Sequence, residues 1–364
     1  MKIGIIGTRG IPNNYGGFEQ FAEYLSQGLV SRGCEVSVYN SHNHPYQDST
    51  WKGINIIHKY DPEYRLGAIG QFKYDLNCIM DSRKRNFNII LQLGYTSSSI
   101  WGRLLPSRST IITNVDGIEY SRVKYNRIVN FFLKYAEKLA VKYSDHLVAD
   151  SVIIKKHFED KYHIESTYIP YGADIFENPD VSQIEKLGLE PNKYFLLVAR
   201  LQADNNIETI IKGVLDSKSS SPLVIIGNYD NTFGKYLRKN YTSQKIRFLG
   251  SIFNIDLLNN LRYFSNIYFH GHSAGGTNPS LLEAMASSAL ICAHNNPFNK
   301  SVLNNNVFYF SNENDIAKLI NSKPKKDLFS QFIDKNLLQI KGQYSKEKII
   351  NDYYSLFKNE LRME

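Results

Sequence analysis

At 364 residues, with 42% hydrophobic and 21% charged side chains, the chain is too long for one ordinary domain and too apolar to be disordered. A net charge of +8 is spread too thinly over that length to mark a nucleic-acid binder. The three scattered cysteines, Cys34, Cys78 and Cys292, exclude a CxxC zinc site and argue against a disulfide framework.

From the N-terminus, β-branched apolar runs predict strands at Lys2–Ile6, Glu35–Asn40, Ile54–His58, Asn88–Gln92 and Thr110–Val115. A second series follows at Tyr194–Val198, Leu223–Gly227, Ile246–Leu249, Ile267–His270 and Ala289–Ala293. Amphipathic stretches of helix length lie between them, such as Glu19–Ser31, Ile128–Tyr143, Asn206–Leu215 and Pro279–Ser287. Strand and helix in alternation predict parallel sheets covered on both faces, and two series predict two doubly wound α/β domains. Pro170-Tyr171-Gly172 and Pro179 break the pattern, so the expected division is residues 1–172, residues 173–345 and a last amphipathic helix in 346–364. No apolar run approaches the ~18 residues that span a bilayer, and Met1–Gly7 is too short for a signal peptide. A cytoplasmic protein is expected.

In open α/β sheets ligands bind beyond the carboxyl ends of the strands, so the loops there are the places to search. The first runs Gly7-Thr8-Arg9-Gly10-Ile11-Pro12-Asn13-Asn14-Tyr15-Gly16-Gly17-Phe18-Glu19. Its glycines allow close backbone approach, and the helix start behind it favours an anion. The spacing departs from the GxGxxG of dinucleotide sites, and the second strand ends at Asn40, where such a site needs a ribose-binding carboxylate. Arg9 among the glycines points instead to a phosphate or acceptor contact. Asp116 and Glu119, three residues apart after the strand Thr110–Val115, suit a sugar hydroxyl, or else a turn and a helix cap.

In the second half, Arg200 follows the strand Tyr194–Val198 and can hold a diphosphate bidentately. The richest stretch runs from His270 to Ala286. Asn278 is a good N-cap and Pro279 a good first helical residue, which leaves the amides of Thr277, Ser280 and Leu281 for a phosphate. Glu283, one turn in, can accept from ribose or sugar hydroxyls. His270 and His272 alternate along the strand, so one at most is expected to face the site, and a metal held by the pair is not expected. Arg122–Lys161 carries nine Lys/Arg against five Asp/Glu, interleaved with Tyr125, Phe131, Phe132, Tyr135 and Tyr143. That composition fits a solvated helix face over its core stripe, or an anionic membrane surface.

Together these residues resemble the family 4 glycosyltransferases, a retaining group with the GT-B fold of two Rossmann-like domains facing across a cleft. Gly276-Thr277-Asn278-Pro279-Ser280-Leu281-Leu282-Glu283-Ala284-Met285 is the most specific part, and Arg200 and Ile169-Pro170-Tyr171-Gly172-Ala173-Asp174 also match. The loop Gly7–Pro12, the run Tyr15–Glu19 and Asp116-Gly117-Ile118-Glu119 resemble a narrower branch, the bacterial rhamnosyltransferases of capsule, cell-wall and O-antigen assembly. The likeness covers nearly the whole chain. It implies an N-terminal acceptor domain, with Arg9, Tyr15, Glu19, Asp116 and Glu119 at the acceptor. It also implies a C-terminal nucleotide-sugar domain, with the final helix crossing back to the first. Donor contacts then fall to Gly16, Gly17, Arg200, Asn205, Gly275, Gly276, Thr277, Asn278, Ser280, Leu281 and Glu283, and catalysis to Arg200, Glu283 and Asp116.

Two positions depart from the broad family. Gly275 stands where it carries a glutamate eight residues before Glu283, and Asn205 stands near the place of a lysine. A deoxygenated sugar such as rhamnose needs fewer such contacts. The implied reaction moves rhamnose from dTDP-rhamnose to a lipid-linked glycan at the cytoplasmic membrane face, through Arg122–Lys161, with no metal, cofactor or nucleic acid. The alternatives are another hexose from a UDP- or GDP-sugar, a nucleotide-sugar epimerase or dehydrogenase, and a non-catalytic relative that binds nucleotide sugar.

Overall fold

The structure is a computed structural model that describes residues 1–118, 120 and 127–361. These separate into two compact units: one holds the described residues up to Gly172 and those from Lys346 onward, the other Ala173–Ser345.

In chain order the first unit contains β1 Lys2–Ile6, α1 Gly17–Ser31, β2 Glu35–Ser41, β3 Thr50–Trp51, β4 Ile54–Lys59, α2 Glu63–Leu66 and α3 Ala68–Ser82. It continues with β5 Ile89–Leu93, β6 Thr110–Asn114, α4 Arg127–Tyr143, β7 His146–Ala149, α5 Val152–Tyr162 and β8 Thr167–Tyr168. The strands form one sheet in the order β3-β4-β2-β1-β5-β6-β7-β8, in which only β3 runs antiparallel to its neighbour. Ile3, Ile5, Ile89, Ile90 and Leu91 are fully buried in its centre, each side chain contributing roughly 1.5–3 kcal/mol. Helices on both faces explain why these strands read as unbroken apolar runs. α1 turns Phe21, Ala22, Leu25 and Leu29 inward, the spacing of one helical face.

The second unit contains α6 Ser182–Glu185, β9 Phe195–Val198, α7 Ile207–Asp216, β10 Leu223–Ile226, α8 Thr232–Asn240, β11 Ile246–Gly250 and α9 Ile255–Phe264. After these come β12 Ile267–His270, α10 Pro279–Ala286, β13 Ile291–His294, α11 Pro297–Leu303, β14 Phe308–Phe310, α12 Glu313–Asn321 and α13 Ser330–Gly342. Its sheet is wholly parallel, in the order β11-β10-β9-β12-β13-β14. Phe195, Leu197, Ile225, Ile267 and Phe269 build the core under α7, whose Ile207, Ile210, Ile211 and Val214 close it. The last helix, α14 Lys346–Glu360, belongs to the first unit. Its Tyr353 ring lies 5.3 Å from Phe21, and the Tyr353 hydroxyl accepts from Asn114 Nδ2 at 3.0 Å.

The expected doubly wound α/β class is therefore what the chain adopts. β3, β8 and β14 were absent from the sequence reading, because strands of two or three residues at sheet edges carry no periodicity, and the four residues of β7, inside the sheet, were absent as well. In each sheet the strand order reverses beside the first strand, between β1 and β5 and between β9 and β12. Loops leave such a point in opposite directions and open a crevice at the carboxyl ends. Among the described residues no helix is long and apolar enough to cross a membrane.

Candidate active site

At the switch point of the second sheet, β9 ends at Val198 and β12 at His270. Arg200 stands exposed just beyond β9, and among the described residues its guanidinium makes no hydrogen bond or ion pair. Its carbonyl is tied down: Asn205 Nδ2 donates to it at 2.7 Å and Gln202 N at 2.8 Å. Asn205 is buried, so the residue expected at the donor braces the loop that carries Arg200. Asn206, with φ of 49°, donates from Nδ2 to the Gly271 carbonyl at 2.7 Å. Ser273 completes the stitch, its amide and hydroxyl donating to the Asp204 carbonyl at 3.1 and 2.7 Å. The two loops lie so close that a Cβ on Gly271 would stand 2.0 Å from the Asn205 carbonyl oxygen, and only glycine fits.

Beyond this stitch the chain opens. Gly275 has φ of +118° and open space where a side chain would project. The amides of Ala274, Gly275 and Gly276 make no hydrogen bond among the described residues. Asn278 caps α10 with Pro279 in the first turn, as the sequence predicts. The cap corrects the expectation for the next amides, however. Asn278 Oδ1 accepts from Ser280 N at 3.0 Å and from Ser280 Oγ at 2.9 Å, while the Asn278 carbonyl accepts from Leu281 N at 3.0 Å. Ser280 and Leu281 are satisfied within the helix start, and Thr277 is buried. The amides without a partner come earlier, in Ala274–Gly276.

Glu283 is an ion-paired residue. Arg262 of α9, fully buried, donates from Nη2 to Glu283 Oε2 and from Nη1 to Asn259 Oδ1 at 3.0 Å. The pair fixes the direction of the carboxylate. The histidines depart from expectation too. Positions two apart in a strand share a face, and the His270 and His272 rings stack 4.5 Å apart at 16° rather than facing opposite ways. Burial, with His272 and His294 close by, pushes His270 well below the usual imidazole range, and it stays neutral. Among the described residues no group of three or more His, Cys, Asp or Glu side chains is placed to hold a metal ion.

In the first unit the loop after β1 is held by its own polar groups. Asn40 clamps Ile11, accepting from its amide at 3.1 Å and donating to its carbonyl at 2.8 Å. Glu19 is buried and accepts from Arg9 N at 2.9 Å, so it braces the loop rather than presenting a carboxylate outward. Arg9 pairs bidentately with Glu63 of α2, at 2.9 and 2.6 Å, and lies 4.0 Å from the centroid of the half-exposed Tyr15 ring. Burial opposes its charge, yet Glu63 outweighs burial and holds Arg9 above its usual range. Arg9, expected at a phosphate or an acceptor, is thus a cation already partnered by Glu63. Gly16 is the extended N-cap of α1 and Gly17 its first residue.

Asp75 of α3 feels the Arg9 charge and accepts from Ser97 Oγ at 2.5 Å; burial pushes its carboxyl up to about 7. Asp116 follows β6 with φ of 48°, its carboxylate accepting from Tyr171 Oη at 3.1 Å and its amide donating to Asn114 Oδ1 at 3.0 Å. Glu119 lies outside the described residues. Sequence reasoning missed Glu63, Asp75 and Arg262. Of these only Asp75 carried a signal, one turn before the buried Ile79 on the apolar face of α3.

Residues 181–333 match the family described as glycosyl transferases group 1, and residues 99–174 match a domain of unknown function, DUF1972. The fold matches sucrose-phosphate synthase from Thermosynechococcus elongatus with a TM-score of 0.83, at 15% identity over 100% of both chains. It matches HepE of Anabaena in complex with UDP-glucose with a TM-score of 0.76, at 13% identity over 98% of this chain and 99% of that one. A sequence relative, the alpha-monoglucosyldiacylglycerol synthase of Streptococcus pneumoniae, is 25% identical over 194 residues, or 48% of this chain. The match spans 44% of that relative, less than half its length. The fold is GT-B, and the group 1 match falls within the second unit.

The group 1 match takes in Arg200, the loop through Gly276 and the Arg262–Glu283 pair, while the DUF1972 match takes in Asp116, α4 and Tyr171. Two measurements test the pairing and burial described above. Arg262→Met removes the guanidinium from the Glu283 carboxylate and should cost roughly 3–5 kcal/mol in chemical denaturation. Adding Glu283→Leu should recover most of that stability without recovering sugar transfer. For Asp75, the folded value of about 7 lies above the unfolded one, so stability falls as pH rises between the two. Asp75→Asn should therefore be more stable than the parent at pH 8, by up to roughly 4 kcal/mol, with the advantage gone by about pH 4 in urea titrations.

Proposed function

We propose that the chain is a glycosyltransferase that moves a hexose from a nucleoside diphosphate sugar to a lipid-linked glycan at the cytoplasmic face of a membrane, with retention and without a metal. In this reading residues 1–172 with 346–364 bind the acceptor and residues 173–345 the donor. One observation carries it: at a switch point, Arg200, whose guanidinium has no partner among the described residues, sits on a loop stitched to the one that carries the amides of Ala274–Gly276, which make no hydrogen bond among those residues. Cleaving the bond from the anomeric carbon to the diphosphate places growing negative charge on the leaving phosphate. A guanidinium held by a stitched loop and fixed backbone amides stabilise that charge without reorganising.

The acceptor hydroxyl attacks from the leaving-group side, and the departing phosphate oxygen takes its proton. Retention then needs no enzymic base. Glu283, aimed by Arg262, accepts from donor hydroxyls, and Asp116, oriented by Tyr171, accepts from the acceptor. The open space over Gly275 supports a sugar that needs few hydroxyl contacts, which favours rhamnose from dTDP-rhamnose. UDP-glucose is the second reading, favoured by the HepE complex, and the streptococcal relative's name supports a lipid acceptor.

A thermal-shift panel of dTDP-rhamnose, UDP-glucose and GDP-mannose separates these readings. The largest stabilisation is expected from dTDP-rhamnose, and a clear preference for UDP-glucose would replace the sugar but keep the transferase. No shift with any nucleotide sugar would overturn the donor site. Arg200→Ala should lower kcat/KM by about 10²–10³ while leaving the fold intact by circular dichroism.

A further inference from the structure

The exposed face of α4 is apolar as well as basic. Ile128, Phe131 and Tyr135 are 80%, 77% and 52% exposed. At 3.6 residues per turn they share an arc of about 120° with Arg127, Lys134, Lys138 and Lys142, all exposed. The single acid of the helix, Glu137, points the other way: it is fully buried and accepts from Lys161 Nζ and Tyr162 Oη at 2.7 Å each. Phe132 extends the surface, its ring packing 5.6 Å from Phe72 of α3. One turn before Phe72 stand exposed Tyr64, Leu66 and Ile69, with Arg65 and Lys73 exposed beside them.

The acids of α2 and α3 are turned inward as well. Glu63 holds Arg9, Asp75 is buried against Ser97, and Asp81 pairs with Lys59 and Arg85. One face of the first unit therefore presents six large apolar side chains and six cations, with no exposed acid on α2, α3 or α4. Apolar side chains left in water among cations suit an interface that is itself apolar beneath and anionic above.

We propose that this face, α4 with the α2–α3 corner, docks on an anionic lipid bilayer, its apolar side chains entering the headgroup boundary and its cations meeting lipid phosphates. The inference deepens the lipid-linked acceptor reading and rests on it for its purpose. It also redraws the basic stretch Arg122–Lys161. In α5, Lys161 is engaged by Glu137, Lys155 by Glu159, and the exposed Lys156 shares its helix with the exposed acid Asp160, so α5 is left out of the face, whereas α2 and α3 are included.

The test is co-sedimentation of the full chain with vesicles of phosphatidylcholine alone and of phosphatidylcholine with phosphatidylglycerol. Binding is expected only with the anionic vesicles and should weaken as salt rises. The pair Ile128→Ser with Phe131→Ser, and separately Lys134→Glu with Lys138→Glu, should each weaken it about tenfold or more. The thermal shift given by the nucleotide sugar should be unchanged in both variants, which shows that they fold. Absent binding, equal binding to neutral vesicles, or binding untouched by both pairs would overturn the proposal. So would a dimer in solution that Ile128→Ser with Phe131→Ser dissolves. Should the vesicle pattern hold while no lipid-linked acceptor is glycosylated, the acceptor reading fails and the docking face stands.

Discussion

The loops after β9 and β12 meet at one point, Gly271 against the Asn205 carbonyl, and the candidate donor site depends on that contact. Parallel order alone sends the two loops in opposite directions and leaves a gap. Asn205, Asn206 and Ser273 draw them together through hydrogen bonds that run across the gap or back into the loop. A Cβ at position 271 would drive the strand ends apart. With the loops joined, Arg200 and the amides of Ala274–Gly276 are carried by one rigid assembly instead of two mobile ones, which is what preorganised charge stabilisation requires.

The charges follow a related logic. A cation withdrawn from water needs a partner, and this chain supplies one at Arg9 with Glu63, at Arg262 with Glu283 and at Lys161 with Glu137. Arg200 is different: it is exposed, braced through its backbone and unpaired among the described residues. An anionic ligand is the natural partner for such a group. On the first unit the arrangement is inverted, with the acids of α2, α3 and α4 turned inward and their cations left outside.

The fold class was legible because each central strand is buried on both faces and so writes its length directly into a β-branched run. Lys2–Ile6 and Ile267–His270 are read from the sequence with the bounds the structure gives. The cap at Asn278-Pro279 was legible for the same reason: it is a local interaction between neighbours in sequence. Its consequence was not, since the cap satisfies the amides of Ser280 and Leu281 that the sequence reading assigned to a ligand. Pairings between distant elements left no trace. Arg262 reaches Glu283 across 21 residues, and Arg9 reaches Glu63 across 54, and no local pattern announces either. The two histidines misled because residues two apart in a strand share a face, so the pair stays together instead of dividing between two faces.

The most direct measurement is a crystal structure with a bound nucleoside diphosphate. The account predicts diphosphate oxygens within roughly 3 Å of the Arg200 guanidinium and of the Gly275 and Gly276 amides. A diphosphate seated against Arg9, or one that leaves Arg200 in solvent, would contradict it.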